Sequence, residues 1–346
     1  MVINRGPGGA RVVESGRPGA RVVSYGPNRG FVERTVRPGF VSRTYVVGGR
    51  SYVHVYHSYS YHGFSYYHYI PGVYYGPRFY GWAITPWAVP VRYSWYGVGV
   101  SAPWFGYYSG YFTPYPVYRS PDLWLTDYLL AENLRLAYEN QQAAYEGQAP
   151  PPPPAAQPDA ATLSPEVKAL IADEVRQQLA AERAAAQQPS PSLYSPEQPA
   201  TPASEQVPPA LTQRFFVVSS NLDTTTAAGQ TCSLTPGDVI ERKGKTVASD
   251  GGVAVDVVSS KPGDCAADAG ASVQLADLQD MHNQFREKID SGLKLVADNQ
   301  AKGLPSAPAA DARPVADGIA PPAPDAATQL VAQENDAAKV EAQVGN

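Results

Sequence analysis

RTYVVGGRSYVHVYHSYSYHGFSYYHYI, residues 43–70, alternates aromatic and β-branched residues with polar ones and is broken twice by glycine. Gly48-Gly49 can supply the two positive φ angles of a tight hairpin turn, and His62-Gly63 is a weaker second turn. The reading is a three-stranded meander of Arg43–Val47, Arg50–Tyr61 and Phe64–Ile70. With two-residue turns, Tyr45 faces Tyr52 and His57 faces His68. Val53, Val55, His57, Tyr59 and Tyr61 share one face with Phe64, Tyr66, His68 and Ile70. The other face carries Tyr56, Ser58 and Ser60 against Ser65, Tyr67 and Tyr69. Tyrosine on both faces is unusual for a sheet with one wet side.

Upstream, residues 1–42 are Arg/Gly/Val/Pro low complexity. Gly9-Ala10-Arg11-Val12-Val13 recurs as Gly19-Ala20-Arg21-Val22-Val23, and two copies are too few for a solenoid. This segment is expected to be disordered. Downstream, residues 71–119 continue the aromatic region with Trp82, Trp87, Trp95 and Trp104, and prolines every few residues exclude long regular elements. Together residues 43–119 form a Tyr/Gly/Pro-rich region, wrapped over the meander or open as an adhesive surface.

Two helices follow. Ser120-Pro121-Asp122 is a helix start, with an N-cap serine, proline at the first position and an acid at the positive end of the dipole. Leu123, Leu130, Leu134, Ala137 and Tyr138 mark its apolar stripe within 120–147. A Pro-rich linker, 148–163, leads to a second start at Ser164-Pro165-Glu166. There Val167, Leu170, Ile171, Val175 and Leu179 recur at helical spacing over 164–187. Flanked by Pro-rich linkers (the second at 188–210), this helix has no evident neighbour, so homo-oligomerisation through a short coiled coil is its expected outlet.

The ordinary globular candidate is 211–304. Phe215–Ser219, Val239-Ile240, Val253–Val258 and Ser272–Leu275 read as short strands. A helix from Asp277 places Leu278, Met281, Phe285, Ile289 and Leu293 on one face. The tail, 305–346, is Ala/Pro-rich and expected to be disordered, with at most a weak helix near its end. The expected fold is therefore a mostly disordered, low-complexity chain. It would carry a small aromatic β-meander, two isolated helices and one small α+β domain, an SH3-like or PDZ-like β-barrel plus C-terminal helix.

Charge divides along the chain. Residues 1–121 hold twelve arginines against Glu14 and Glu33, a net +10, and the rest carries 15 bases and 30 acids, a net −15. A basic aromatic head calls for an anionic partner: a glycan, a lipid surface, a nucleic acid or the protein's own acidic half. Cys232 and Cys265 fall in the same candidate domain, which fits a disulfide of an oxidising compartment or two buried thiols. The uncharged stretch Tyr93–Tyr118 is too interrupted by Gly and Pro to span a bilayer as a helix. The opening residues have no apolar leader core, so a signal peptide is expected upstream of this start; with this start as the true one, the chain is expected to be cytoplasmic.

Three blocks resemble a group of uncharacterised bacterial exported proteins. These are the Tyr/Gly-rich head, Leu123-Trp124-Leu125-Thr126-Asp127-Tyr128-Leu129-Leu130, and the body with Leu234–Ile240 and Asp277-Leu278-Gln279-Asp280-Met281-His282-Asn283. The resemblance implies export and no particular activity. Leu-x-Pro-Gly-Asp-Val-Ile also resembles the loop-to-strand turn of PDZ domains and SH3-like barrels, as any tight turn into a buried strand does.

Few residues point to chemistry. A cross-strand His57/His68 pair could offer two imidazoles to Zn²⁺ or Cu²⁺, although imidazoles also replace tyrosine readily in an aromatic sheet. Arg29-Gly30-Phe31 and similar pieces resemble segments that bind single-stranded nucleic acid, but no folded nucleic-acid module accompanies them. His282 is expected at or near the surface, Asp238 is expected to cap its own turn, and no catalytic triad, P-loop or dinucleotide fingerprint occurs. The expected protein is thus non-enzymatic, needs no cofactor, and belongs to the periplasm, the outer envelope or the secreted fraction. Its head would adsorb to envelope polysaccharide, a membrane surface or an envelope protein through Tyr56, Tyr67, Tyr69, Trp82, Trp87, Trp95 and Trp104. The alternatives are a PDZ-like peptide-binding C-terminal domain and an Arg/Gly/aromatic nucleic-acid-binding protein.

Overall fold

Strand alternation begins far upstream of residue 43. The structure, a computed structural model, describes residues 1–5, 11–17, 20–26, 29–47, 49–93, 103–144, 163–187, 206–227, 229–298, 303–315 and 322–344. Seven antiparallel strands follow one another as a single meander. They are β1 (Val2–Arg5), β2 (Arg11–Arg17), β3 (Ala20–Gly26), β4 (Arg29–Arg37), β5 (Phe40–Val47), β6 (Arg50–Tyr61) and β7 (Phe64–Ile70). Tyr45 pairs with Tyr52 and His57 with His68. The β6–β7 turn places His62 at φ 48° and Gly63 at φ 84°, both left-handed as a two-residue hairpin needs. Gly49 is left-handed too, and Gly48 lies outside the described residues.

The expectation of a mostly disordered chain is overturned, and the physical reason is long-range cover. On one face strands β2–β5 offer a thin apolar row, Val22, Val32 and Val46, and Ala326 and Leu330 of the far C-terminal helix bury it. That helix, α6 (Ala326–Val344), comes from the tail expected to be disordered. Its Gln333 amide donates to Val13 O at 2.6 Å and Val22 O at 3.1 Å. Another tail piece, β15 (Arg313–Pro314), pairs with β8 (Val73–Tyr74).

Between these layers sits an aromatic core. Two short helices, α1 (Pro77–Ala83) and α2 (Pro103–Tyr107), contribute Phe79, Tyr80 and Trp104 to it. The long α3 (Pro121–Ala144) buries Trp124, Leu125, Leu129, Leu130 and Leu134 there. In α4 (Pro165–Ala186) the Ser164 hydroxyl accepts from Val167 N at 3.3 Å, as its capping sequence predicts. The helices are not isolated: Ile171, Val175 and Leu179 of α4 bury their stripe in this intrachain core, which removes the reason for a coiled coil. The expected linkers 148–163 and 188–210 lie largely outside the described residues.

The 211–304 region forms a four-stranded sheet ordered β14-β13-β12-β9. Its strands are β9 (Phe215–Val217), β12 (Val239–Arg242), β13 (Gly252–Ser259) and β14 (Gly270–Gln274), with a hairpin of β10 (Leu222–Thr225) and β11 (Thr231–Leu234) beside them. Helix α5 (Leu275–Ala297) buries Leu278 and Met281 against this sheet and Phe285, Ile289 and Leu293 in the aromatic core. The region shares its core with the head rather than standing as a tethered module. No helix is long and apolar enough to cross a membrane among the described residues.

Candidate functional site

The polar side of α5 faces β6 and β7, and Asn283, Arg286 and Glu287 are buried there. Asn283 and Arg286 act as a substitute strand: Tyr69 N donates to Asn283 Oδ1 at 3.0 Å, Asn283 Nδ2 donates to Tyr67 O at 2.8 Å, and Arg286 Nη1 donates to Tyr69 O at 2.7 Å. An open strand edge invites another chain, and here side chains close it. The edge of β9 is closed in the same way, since Glu174 Oε1 of α4 accepts from Arg214 N and Phe215 N at 3.0 Å each. At β14, Thr224 Oγ1 donates to Ser272 O at 2.7 Å, and Thr226 bridges Ala271. Among the described residues, both outer strands of this sheet, β9 and β14, thus have edge groups taken up by other parts of the chain.

Inside the seam the tyrosines are hydrogen-bond donors held in their phenol form. Tyr45 and Tyr56 hydroxyls lie 2.9 Å apart, Tyr56 donates to Glu287, and Tyr69 donates to Asp290 at 2.9 Å. Burial, then the nearby carboxylates, push all three phenols well above their ordinary range. Burial also pushes Glu287 up, but His54 at 3.0 Å and the Tyr56 hydroxyl outweigh it and hold the carboxyl below its usual value. Arg43 completes the seam, 2.8 Å from Glu33 and over the rings of Phe31, Tyr56 and Tyr67. Such a network fixes the sheet against α5.

The histidines belong to the same seam. His68 Nε2 lies 2.6 Å from Arg286 Nη1, and its ring is 6.4 Å from that of His282. Burial, then Arg286 and His57, push His68 down to about 3. That nitrogen faces the Arg286 guanidinium, and the strand pairing brings His57 and His68 opposite each other as expected. Among the described residues no group of three His, Cys, Asp or Glu is placed to hold a metal ion. His282, expected near the surface, is buried with Nδ1 2.6 Å from Gln213 Oε1.

The aromatic residues expected to bind at the surface divide. Tyr56, Tyr69 and Trp104 are buried, so a surface role for them is excluded by packing. Tyr67 is half-buried with its hydroxyl 3.4 Å from Glu33, and Trp95 lies outside the described residues. Trp82 and Trp87 remain half-exposed, ring centroids 6.2 Å apart. In the same segment Arg78, Arg92, Arg119 and Val89 are exposed, the last with 72% of its surface open. Trp87 N donates to Arg119 O at 2.7 Å, and Val91 bridges Tyr118, which holds this segment to the body.

Elsewhere the head's arginines meet acids. Arg29 pairs with Glu139, Arg34 with Asp325 at 2.8 Å, and Arg21 with Glu14 at 2.6 Å. Part of the anionic partner expected for the head is thus the protein's own acidic half. Cys232 and Cys265 form a disulfide, with Cα atoms 5.0 Å apart. Comparison with protein-family models, with curated proteins and with solved structures gave no match.

Proposed function

We propose that the chain is a non-enzymatic structural and interaction protein of an oxidising compartment outside the cytoplasm. It would dock to anionic envelope material, polysaccharide or membrane surface, through the Trp82/Trp87 patch. The carrying observation is that Arg78, Arg92 and Arg119 stay exposed in the same segment as two half-exposed tryptophans, while Arg29, Arg34 and Arg43 are paired with acids of the same chain. Tryptophan faces stack on sugar rings or sit at a lipid interface, and arginine supplies attraction to anions. The Cys232–Cys265 bond supports the compartment, because such bonds persist in oxidising surroundings.

Co-sedimentation of the full chain with cell-wall and membrane preparations tests the reading. Replacing Arg78, Arg92 and Arg119 together by Ser should weaken retention by about tenfold, at roughly half a kcal/mol per exposed charge, and added salt should weaken the parent protein alike. Salt-independent retention, or retention unchanged in the triple variant, would remove the patch from the account. A second measurement addresses the compartment: alkylation of the native cells' protein without reduction should find both cysteines linked.

A further inference from the structure

Two similar turns meet at the rim of the small sheet. Thr235-Pro236-Gly237-Asp238 enters β12, and Lys261-Pro262-Gly263-Asp264 leaves β13. Both carry Pro-Gly-Asp, and their side chains converge. The Asp238 carboxyl is fully buried and accepts Thr235 N on Oδ2 at 2.8 Å and Lys261 N on Oδ1 at 3.0 Å. Lys261 Nζ is in direct contact with Asp238 Oδ1 and lies 3.3 Å from Asp264 Oδ2. Only 5% of the Lys261 side chain and 12% of that of Asp264 is exposed. The Thr235 hydroxyl donates to Asp264 Oδ2 at 2.5 Å, and the Tyr111 ring covers Lys261 Nζ at 5.5 Å.

We propose that Lys261 and Asp238 are joined by an intramolecular amide bond, formed by the protein itself with Asp264 as the proton carrier. The parts of an acyl transfer are present. The amine nitrogen is the nucleophile and already touches the carboxyl group, so no encounter has to be arranged. The two backbone N–H groups, one on each oxygen of Asp238, polarise its carboxyl carbon, and the one on the oxygen that is kept would hold the oxyanion of a tetrahedral intermediate. Asp264 stands within reach of the amine as base and then acid. Burial, opposed by Lys261, pushes Asp238 up to about 7, which favours the protonated acid that the reaction consumes.

The step balances without any co-reactant. Lys261 Nζ passes one proton to the Asp238 carboxylate it touches and then adds to Cγ, forming the N–C bond. Asp264 takes the proton from Nζ and returns it to the departing hydroxyl. The C–O bond breaks, one water leaves past the part-exposed Asp264, and nothing is oxidised or reduced. Two buried charges become one neutral amide, which removes a desolvation cost that a buried ion pair carries permanently.

The fold supplies its own control. Lys168 and Asp127 also form a buried pair, Nζ to Oδ1 2.7 Å, with 3% and 0% of their side chains exposed. Lys168 there donates to Thr113 O at 2.8 Å, and Asp127 accepts from Tyr115 N and the Tyr118 hydroxyl at 2.6 Å each. No second carboxylate forms an ion pair with Lys168 among the described residues, so this pair stays ionic.

Mass spectrometry of the full chain, unfolded and with its disulfide reduced, decides the matter. The expected protein is lighter than its sequence by one water molecule. Trypsin should leave the segments Phe215–Arg242 and Thr246–Arg286 joined after reduction, which separates the bond from cyclisation at Asp250-Gly251. In Asp264→Asn the full mass and two separate segments should return. A parent protein of full mass with separate segments overturns the proposal, as does a water loss that maps to Lys168 and Asp127. Linkage undiminished in Asp264→Asn overturns the role of Asp264.

Discussion

Replacing Asn283 by Leu tests whether one side chain on α5 closes the edge of the seven-stranded sheet. Asn283 is 1% exposed, and Leu has the same branched skeleton with a larger volume, so the change removes hydrogen bonds without opening a cavity. Two backbone groups lose their partners, Tyr69 N–H at 3.0 Å and Tyr67 C=O at 2.8 Å. A buried group left unpaired costs about 1–3 kcal/mol, and the extra apolar contact of Leu returns about 1 kcal/mol. The expected net loss is about 1–5 kcal/mol, read as a lower urea midpoint of the full chain. Hydrogen exchange gives the local readout: the Tyr69 amide should lose its protection before the amides of β4 and β5 do. The exposed β7 edge should also make the variant self-associate with concentration in sedimentation. Stability within about 0.5 kcal/mol of the parent, with Tyr69 still protected, would refute the edge-closing role, because unpaired backbone groups cannot be that cheap.

Other outcomes follow from the same contacts. Replacing Cys232 and Cys265 together by Ser opens a loop of sequence separation 33, and the expected loss is about 3–4 kcal/mol, read by denaturant unfolding of both forms. Gly237→Ala meets both a left-handed φ of 101° and Leu134 Cδ2 at 2.6 Å from the new methyl group. Its expected cost is about 2–5 kcal/mol, and adding Leu134→Ala should restore the crowding part but not the backbone part. His68 is held neutral in the fold, down at about 3, while the unfolded chain takes up its proton near the ordinary value. Its contribution is therefore full above about pH 6.5 and is lost as pH falls toward about 3. Between about pH 7 and about pH 4 the parent should lose more stability than His68→Gln; parallel curves for the two proteins would remove His68 from the pH response.

The elements that were legible in the sequence are those whose signals are local. Gly49 and His62-Gly63 set the turns of the β5–β7 meander, and with them the Tyr45/Tyr52 and His57/His68 pairs. Ser164 capped its helix as its position implied, and Asp238 accepts from Thr235 N in its own turn. What composition obscured is pairing between distant weak segments. Residues 1–42 have too little apolar surface to fold alone, and so has the tail; Val22, Val32 and Val46 become a core only when Leu330 lies on them. Each half looks disordered because its stabilising partner stands about 300 residues away.

The same logic separates surface from interior among the aromatics. Alternation placed Tyr56 and Tyr69 on the meander face opposite His57 and His68, but it could not reveal that α5 would cover that face with Glu287 and Asp290. A helix read only from Leu278, Met281, Phe285, Ile289 and Leu293 seems to have one buried stripe and one wet side. In the fold its other side is buried as well, against tyrosine hydroxyls and strand backbone rather than against carbon. The charge split carried usable information there. Excess arginine in the head and excess acid in the body foretell ion pairs such as Arg29–Glu139 and Arg34–Asp325. Among the arginines whose side chains are described, Arg78, Arg92 and Arg119 stay exposed in the segment that carries Trp82 and Trp87, and Arg37 and Arg50 on the sheet also meet no acid. Internal neutralisation thus takes up part of the head's net +10, and the exposed arginines that remain are the charge available to a partner.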